Sequence, residues 1–467
     1  MANLNIAGCF ARRFRQWAVV TGISLFTVPA AHALGLIEAY EAALAHDPVY
    51  AAAIKENEAG QLNRTIGRAY LLPTLSANYA DYRNWLRQTY LNTRIGDVSQ
   101  DQRYRSFGGA IALRQPLVNY EGIARYRYGR ALAAASTATF SGKSKDVLVR
   151  VLSAYTETLF ALDQLTLASA QKRAYDLQLS ANRKLLEKGE GTRTDVLETH
   201  ARSDIADADL ISARDAFDNA AHALEAITGI PFDEMQGIDG LSEDFRPYQP
   251  QAERLADWRE LAMTQNDDLV SARHSVEAAR QQAEIQRAGF LPRVDLVASL
   301  GQNQSNTVNT INQRYATKAV GIEVTIPIFS GGLVKGSMDQ AFANYERAQF
   351  DLDDRTNRVM LEVRKQFNLH EGSIGRIAAL QRAVESASFL IASTRKSVAG
   401  GLRTNVDVLN AERQMYESRR DLARARYQYL LASVQLKYAA GTLMPTDIVA
   451  LAEQFNAPKG AVAEGRP

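Results

Sequence analysis

Side chains able to catalyse reactions or bind metals are thinly spread through this sequence. Its histidines do not occur in the H-E-x-x-H pattern, or in another spacing that would place two ligands on one helix face. Beyond residue 33 they are His46, His200, His222, His274 and His370. We predict that these histidines lie on helix surfaces and that none of them binds a metal.

Two short stretches have a superficial likeness to ligand-binding motifs. Residues 351–354, D-L-D-D, lack the glycine and the spaced acids of a calcium loop, so they are predicted to form a solvated helix face. Residues 330–337 resemble a phosphate-binding loop, but Lys335 precedes the last glycine instead of following it. No catalytic constellation remains, and the sequence predicts neither an enzyme nor a bound cofactor or metal.

A third group of polar residues lies beside a glycine-bearing turn that the chain contains twice. Arg403 and Asp407 are four residues apart, the spacing of a helix-surface ion pair that contributes roughly 0.3 kcal/mol. Displacing the chain by 212 positions aligns Gly189 with Gly401 and Asp195 with Asp407 without a gap. Matched turns and matched helix ends do not follow from shared composition. The chain is therefore predicted to contain two copies of one large unit.

The helices that hold these turns are predicted to be very long. No proline occurs from about Gly122 to Lys188, and apolar residues recur there every three or four positions. Roughly 65 residues at about 1.5 Å each give a rod of about 100 Å. A similar helix is predicted from Gly336 to Ala399, and rods of this length should pack as coiled-coil-like pairs.

A pair of strands is predicted before each long helix, because apolar and polar residues alternate there with a period of two. The apolar positions are Leu75, Ala77 and Tyr79; Phe107, Ile111 and Leu113; Val294, Leu296, Ala298 and Leu300; and Val320, Ile322, Val324 and Ile326. A polar loop that includes Asn92, Gly96, Asp97 and Asp101 is predicted between the first two strands. A loop rich in Asn and Thr is predicted between the other two.

The chain is thus predicted to be one unit repeated, in the order helix, strand, strand, long helix, turn, helix. The repeats occupy residues 34–230 and 251–443, joined by a polar, proline-bounded link at residues 231–250. A tail occupies residues 444–467, with no regular structure expected after Phe455.

Residues 1–33 have the arginines, the apolar run and the A-x-A site of a secretory signal peptide. The apolar run is too short for the alternative, a membrane anchor, which needs about 20 residues. The only cysteine, Cys9, lies in this segment. The mature chain is therefore predicted to have neither a thiol nor a disulfide.

Net charge argues against nucleic-acid binding, and hydropathy argues against membrane-spanning helices. A net charge of +2 gives no overall positive field that would attract nucleic acid. No stretch of about 18 consecutive apolar residues occurs, so only strands could cross a membrane. One face of the predicted strands is apolar and the other polar, as lipid and lumen require. Four strands cannot close a barrel, whereas two chains would give eight strands with a filled interior and three would give twelve with an aqueous lumen. The alternative is a soluble four-stranded sheet with helical arms.

Several motifs in combination resemble the TolC family of outer-membrane efflux and secretion ducts. They are the two repeated units, the Leu-Pro pairs before the strands, the I-P-I-F-S-G-G run from Ile326, and the turn G-L-R-T-N-V-D-V-L from Gly401. The resemblance covers nearly the whole mature chain. It implies a mixed α and β membrane protein, mainly α: a homotrimeric twelve-strand β-barrel in outer-membrane lipid that continues into a long α-helical barrel across the periplasm.

The resemblance also implies a gate at the helical tips. Arg403 matches the arginine that tethers neighbouring helices, and Thr194 and Asp195 match its partners. Asp407 matches an inward acidic residue that forms a ring at the entrance. Asn410 stands where the founding member has a second Asp, so a less acidic constriction is expected.

The same resemblance assigns the tips that meet a periplasmic adaptor protein, which an inner-membrane pump feeds. These positions are Gly189 and Glu190 in the first turn and Gly401 and Leu402 in the second. Val398 replaces the tyrosine that helps to latch the tip, so the gate is expected to be tethered differently.

Two classes of function are consistent with these features. The paired repeats and four-strand blocks favour a passive export duct. The lack of a lipidation cysteine favours protein secretion of type I, with an ABC transporter as the pump and a protein as the exported substrate, over multidrug efflux. The second class is a non-conducting trimeric coiled-coil surface or structural protein. Such a protein would need neither the paired repeats nor the four-strand blocks.

Overall fold

The computed structural model describes residues 34–231, 237–242, 245–247, 254–455 and 457–460. The elements in chain order are α1 (Leu36–His46), α2 (Pro48–Ala69), β1 (Thr74–Thr93), β2 (Gly96–Val118), α3 (Tyr120–Glu187), α4 (Arg193–Thr228), β3 (Gly237–Gly240), α5 (Leu255–Gln265), α6 (Asp267–Arg287), β4 (Arg293–Gln304), β5 (Arg314–Thr325), α7 (Leu333–Ala399), α8 (Asn405–Ala440), α9 (Asp447–Ala452) and β6 (Ala457–Gly460). The predicted signal peptide, residues 1–33, lies outside the described residues.

The predicted strands form one antiparallel sheet in the order β1-β2-β4-β5, which confirms the four-strand prediction. The predicted polar loop at residues 92–101 was wrong, because β1 runs to Thr93 and β2 begins at Gly96. Polar side chains across this hairpin pair with one another: Arg87 Nε donates to Asp101 Oδ1 at 2.7 Å, and the hydroxyls of Thr89 and Ser99 are 2.9 Å apart. The polar residues therefore pair across the two strands and extend the hairpin, where a loop was predicted.

The polar face of the sheet carries an ion-pair network at the end nearest the helices. Arg114 donates to Asp295 Oδ2 and to Glu323 Oε2, each at 2.8 Å, and Arg293 Nε lies 3.1 Å from Asp295. The network joins β2, β4 and β5, so it links strands of both repeats.

Two helical hairpins, α3/α4 and α7/α8, make up the long arm of the molecule. The predicted long helices are confirmed, with 68 residues in α3 and 67 in α7, or about 100 Å each. None of the described helices combines the length and the hydropathy of a membrane-spanning helix.

The main hydrophobic core lies where the middle of α3 packs against α1, α4 and α8. Its members include Ala39, Val147, Leu152, Tyr155, Leu159, Leu224 and Leu430. The Tyr155 hydroxyl donates to the carbonyls of Leu34 at 3.0 Å and Asp239 at 2.9 Å. Burial raises the pKa of Tyr155, so the hydroxyl remains a donor.

The predicted lack of structure after Phe455 was wrong for residues 457–460. They form β6, which pairs antiparallel with β3 in the segment predicted to be a polar link. Phe455 itself is buried edge-on against Tyr155, with ring centroids 5.4 Å apart. The Ile238 side chain of β3 is buried in the main hydrophobic core.

The prediction that every histidine lies on a helix surface was wrong for His370. Its side chain is buried between α7 and α8, 4.9 Å from the Tyr429 ring centroid. Burial lowers the pKa of His370, which therefore packs as a neutral aromatic ring.

Candidate gate and adaptor-contact site at the hairpin turns

The two helical hairpins reverse direction at equivalent glycines. Gly189 and Gly401 have φ angles of +73° and +71°, a left-handed conformation that glycine adopts without strain. After each glycine a backbone amide closes the turn: Glu190 N donates to Leu185 O, and Leu402 N donates to Ser397 O, both at 2.9 Å. The four predicted adaptor-contact residues are exposed at these turns, Leu402 to 84%.

A capping threonine follows each turn and positions the predicted gate carboxylates. Asp195 N donates to Thr192 Oγ1 at 3.1 Å, and the Thr192 hydroxyl donates to Asp195 Oδ2 at 2.6 Å. At the second turn Asp407 Oδ2 accepts from Thr404 N at 2.9 Å and from its hydroxyl at 3.0 Å. These hydrogen bonds, with a smaller contribution from the charge of Arg403, lower the pKa of Asp407. Asp407 is therefore an anion at neutral pH.

Arg403 is exposed beside Asp407, on the hairpin opposite Thr194 and Asp195. Among the hydrogen bonds and ion pairs of the described residues, none joins Arg403 to Thr194 or Asp195 within this chain. The tether therefore stays a prediction, and it concerns contacts between neighbouring subunits.

The structure places an amide network just above the turns, which the sequence reasoning missed. Gln178 Nε2 donates to Asn405 Oδ1 at 3.0 Å, and Asn405 Nδ2 donates to Asn182 Oδ1 at 2.9 Å. Asn182 Nδ2 in turn donates to Thr199 Oγ1 at 2.8 Å. Asn182 and Thr199 are buried. The network ties α3 and α4 to the first residue of α8, so it joins the two hairpins.

A signal for this network was present in the sequence. Gln178 and Asn182 are amide side chains at i and i+4 on α3, on either side of the buried Leu179. Buried polar side chains at such positions commonly fix the register between helices.

Further contacts hold the ends of the hairpins. Arg202 Nη2 on α4 donates to Asn410 Oδ1 on α8 at 3.2 Å, which engages the predicted constriction residue with the first hairpin. Within the second hairpin, Arg395 forms an ion pair of 2.6 Å with Glu412, which is buried. In the part of the chain that the structure describes, no cluster of three or more His, Cys, Asp or Glu side chains is placed to hold a metal ion.

Comparison with known proteins agrees with this architecture. Residues 39–230 and 258–442 match the family model described as "Outer membrane efflux protein". These two ranges correspond to the two repeats. The solved structure of the outer-membrane protein VceC from Vibrio cholerae has the same fold, with a TM-score of 0.73 at 20% identity over 87% of this chain and 96% of VceC.

Two relatives match over almost their entire length. The alkaline protease secretion protein AprF of Pseudomonas aeruginosa is 44% identical over 446 residues, 95% of this chain and 92% of AprF. The proteases secretion protein PrtF of Dickeya chrysanthemi is 38% identical over 94% of this chain and 95% of PrtF. Outer membrane protein TolC of Escherichia coli is 32% identical over 68% of this chain and 66% of TolC. The chain belongs to the outer membrane efflux protein (TolC) family, and its place is the outer membrane, from which it extends into the periplasm.

Proposed function

We propose that this protein is the outer-membrane duct of a three-part machine that secretes proteins. Its partners would be a periplasmic adaptor and an inner-membrane ABC transporter. The observation that carries the proposal is the match to two relatives named for protease secretion over at least 94% of this chain. By contrast, the cation efflux protein CusC of Escherichia coli matches at 23% identity over 38% of the chain.

A homotrimer would complete the duct. The strands β1 and β5 are the edges of the four-stranded sheet, and in the described residues each has one side without a partner strand. Open edges are not tolerated in hydrocarbon, because their amide and carbonyl groups would lose water without gaining hydrogen bonds. Three copies joined β5 to β1 give twelve strands, enough for an aqueous lumen.

The hairpin turns would form the periplasmic entrance of this duct. In this proposal Arg403 tethers a neighbouring subunit through Thr194 and Asp195, while Asp407 and Asn410 line the constriction. The amide network around Asn182 supports the closed arrangement, since it joins the two hairpins within each chain. The exposed turns, with Leu402 as an apolar contact, would meet the adaptor.

Deletion of the gene tests the choice of cargo. We expect the cognate secreted protein to accumulate inside the cell, with little change in drug susceptibility, and a plasmid copy to restore secretion. Broad drug hypersensitivity with normal protein secretion would instead assign the duct to multidrug efflux.

Conductance in planar bilayers tests the duct itself. The purified protein should give discrete ion-conducting steps that are small while the tips are closed. A non-conducting trimeric stalk would give none, which would contradict the proposal whatever the cargo is.

A further inference from the structure

One face of the four-stranded sheet is apolar at the end nearest the helices. Because strand residues alternate between faces, the paired positions of all four strands place these side chains on a common surface. They are Leu75, Ile111, Leu113, Leu300, Val320, Ile322 and Val324, and in the single chain Leu75 and Val320 are exposed to 71% and 76%. In an outer-membrane protein such a surface faces the hydrocarbon.

The same face becomes cationic toward the hairpin end of the sheet. Lys318 lies opposite Leu300, Arg314 opposite Gln304, Arg83 opposite Arg105, and Arg103 opposite Trp85. We call the four residues Arg83, Arg103, Arg314 and Lys318 the basic rim. All four are exposed, and in the described part of the chain no carboxylate lies within ion-pair distance of them.

The carboxylates that share this face are already engaged. Asp81 accepts hydrogen bonds from Arg105, and Asp101 accepts from Arg87. Arg314 is held in place by Gln304, whose Oε1 accepts from its Nη2 at 3.0 Å, and by the Phe107 ring, 5.7 Å below its guanidinium carbon. The positive charge of the basic rim is thus left available to an external anion.

The position of the basic rim matches the headgroup layer of a membrane. Val324 and Arg314 are ten residues apart on β5, or about 34 Å along the strand and about 26 Å along the membrane normal at a tilt of about 40°. The apolar band of such barrels is about 25 Å tall. Lys318 lies within this apolar band, and its long side chain can extend to the interface between membrane and water. The exposed Trp85 and Tyr79 lie on the same face, as interfacial aromatic residues do.

The basic rim faces the outer leaflet, because the helices leave the opposite end of the sheet toward the periplasm. The hairpin β1–β2 continues beyond the last pair that β2 makes with β4, Phe107 with Gln304. Arg83 and Arg103 therefore stand farther from the hydrocarbon than Arg314 does. Cations at several heights suit a lipid whose phosphates are carried on a bulky sugar headgroup.

We propose that the basic rim binds the phosphate groups of the phosphorylated glycolipid of the outer leaflet, the lipid A part of lipopolysaccharide. Guanidinium groups bind phosphate oxygens in a bidentate manner, while the acyl chains of the same lipid cover the apolar rows below. The contact depends on the outer-membrane location and not on the exported cargo, so its failure leaves the proposed secretion function intact.

Binding of lipid A to the purified, detergent-solubilised protein tests this proposal. Native mass spectrometry would count bound diphosphoryl lipid A for the wild type and for two double variants, Arg314→Gln with Lys318→Gln and Arg83→Gln with Arg103→Gln. The matched control, Arg68→Gln with Lys335→Gln, removes the same charge from exposed residues at the helix end of the sheet, outside the basic rim, and leaves Asp81 and Asp101 paired. Each rim variant is expected to raise the apparent Kd about tenfold. The control should bind as the wild type does, and light scattering should give the wild-type mass for every variant.

Three results would overturn the proposal. The first is an equal Kd for the rim variants and the control. The second is equal binding of diphosphoryl and dephosphorylated lipid A by the wild type. The third is displacement of lipid A by an equal concentration of phosphatidylglycerol, which would make the basic rim a general contact for anionic lipids.

Discussion

The two long helices α3 and α7 occupy equivalent places in the two repeats and have nearly the same length, yet they are buried very differently. In the single chain α3 buries 24 residues and α7 buries 10. The reason is position: α3 packs against α1, α2, α4, α6 and α8, whereas α7 packs against α5, α6 and α8. Duplication thus produced one helix at the centre of the subunit and one at its edge.

α7 leaves several large apolar side chains exposed among its charged residues. It carries Phe342, Phe350, Leu361, Leu369 and Phe389. Large apolar side chains are also exposed on α2, at Leu62 and Ile66, and on α4, at Leu197, Ile205 and Ile211. When the apolar side chains of α7 on one copy pack against those of α2 and α4 on the next copy, the contact is head-to-tail. Such contacts close into a ring when the rotation between neighbouring copies permits. The apolar side chains that α7 leaves exposed therefore agree with the ring of subunits proposed above.

The two hairpin turns differ in a similar way. Displacement by 212 positions aligns the buried Asn182 with Thr394, Gln178 with Leu390 and Thr199 with Ala411. The amide network of the first repeat accordingly has no counterpart in the second. The turns themselves are equivalent, but the first repeat holds the second through polar side chains.

The largest effect is expected where α7 is exposed. Phe350→Asp together with Leu361→Asp should prevent assembly, since each buried Phe or Leu side chain contributes about 1.5–3 kcal/mol at every interface of the ring. Light scattering, after subtraction of bound detergent, should give the mass of a monomer. The control Phe350→Leu with Leu361→Met should assemble normally. A charged variant that still forms the wild-type oligomer would show that this side of α7 is not an interface.

Loss of the amide network is expected to have the next largest effect. Asn182→Ala removes the acceptor of Asn405 Nδ2 and the donor to Thr199 Oγ1, at a cost of about 1–3 kcal/mol for each polar group left unpaired in the interior. The subunits should still assemble, but the closed conductance in planar bilayers should rise. The control is Thr394→Ala, the equivalent buried position of the second repeat, for which a smaller change is expected. Equal conductance in the two variants would mean that the network does not restrain the tips.

The sequence predicted the features that depend on local pattern. Alternation in Leu75–Tyr79 located a strand, and Gly189 and Gly401 located the turns, because backbone conformation is determined there by neighbouring residues. It did not predict the hairpin beyond Tyr79, since Arg87 and Asp101 look like loop residues until they are seen to pair across strands. Nor did it predict the unequal burial of α3 and α7, because burial depends on what packs against a helix and not on its own period.

The same limit applies to the candidate site. Asn182 and Asn405 are 223 residues apart, and no local pattern connects them. His370 lies on a polar stretch of α7, and only the approach of Tyr429 from α8 buries it. Contacts between residues so far apart in the chain can be seen only in the folded structure.

Two substitutions at the second turn test whether Arg403 acts as a tether and whether Asp407 belongs to a ring of negative charge. Arg403→Ala should remove a charge-assisted hydrogen bond worth about 1 kcal/mol at a partly exposed tip, so the closed conductance should increase. Asp407→Asn should leave the closed conductance unchanged and reduce the preference for cations, because it removes one negative charge from each subunit. Single-channel recording with asymmetric KCl measures both properties. If neither variant differs from the wild type, Arg403 and Asp407 form an ordinary helix-surface pair.

The smallest effect is expected at one of the few buried positions of α7, His370. Burial lowers its pKa, although the nearby Glu371 acts in the opposite direction. The unfolded chain therefore binds a proton below about pH 6.5 that the folded chain excludes, and stability should fall as the pH drops through this range. The contribution of one such group is at most about 1.4 kcal/mol per pH unit.

The variant His370→Gln should lose this part of the pH dependence. Urea unfolding of the wild type and the variant at pH 7.5 and pH 5.5, in the same detergent, would measure the difference. The control Asn368→Gln changes an exposed, uncharged residue of the same helix and should keep the wild-type slope. Because α7 has so few buried positions, a loss of slope in His370→Gln alone would show that its packing against α8 persists in solution. Equal slopes in all three proteins would mean that the His370 site opens to water, and that α7 is held mainly by its neighbours in the ring.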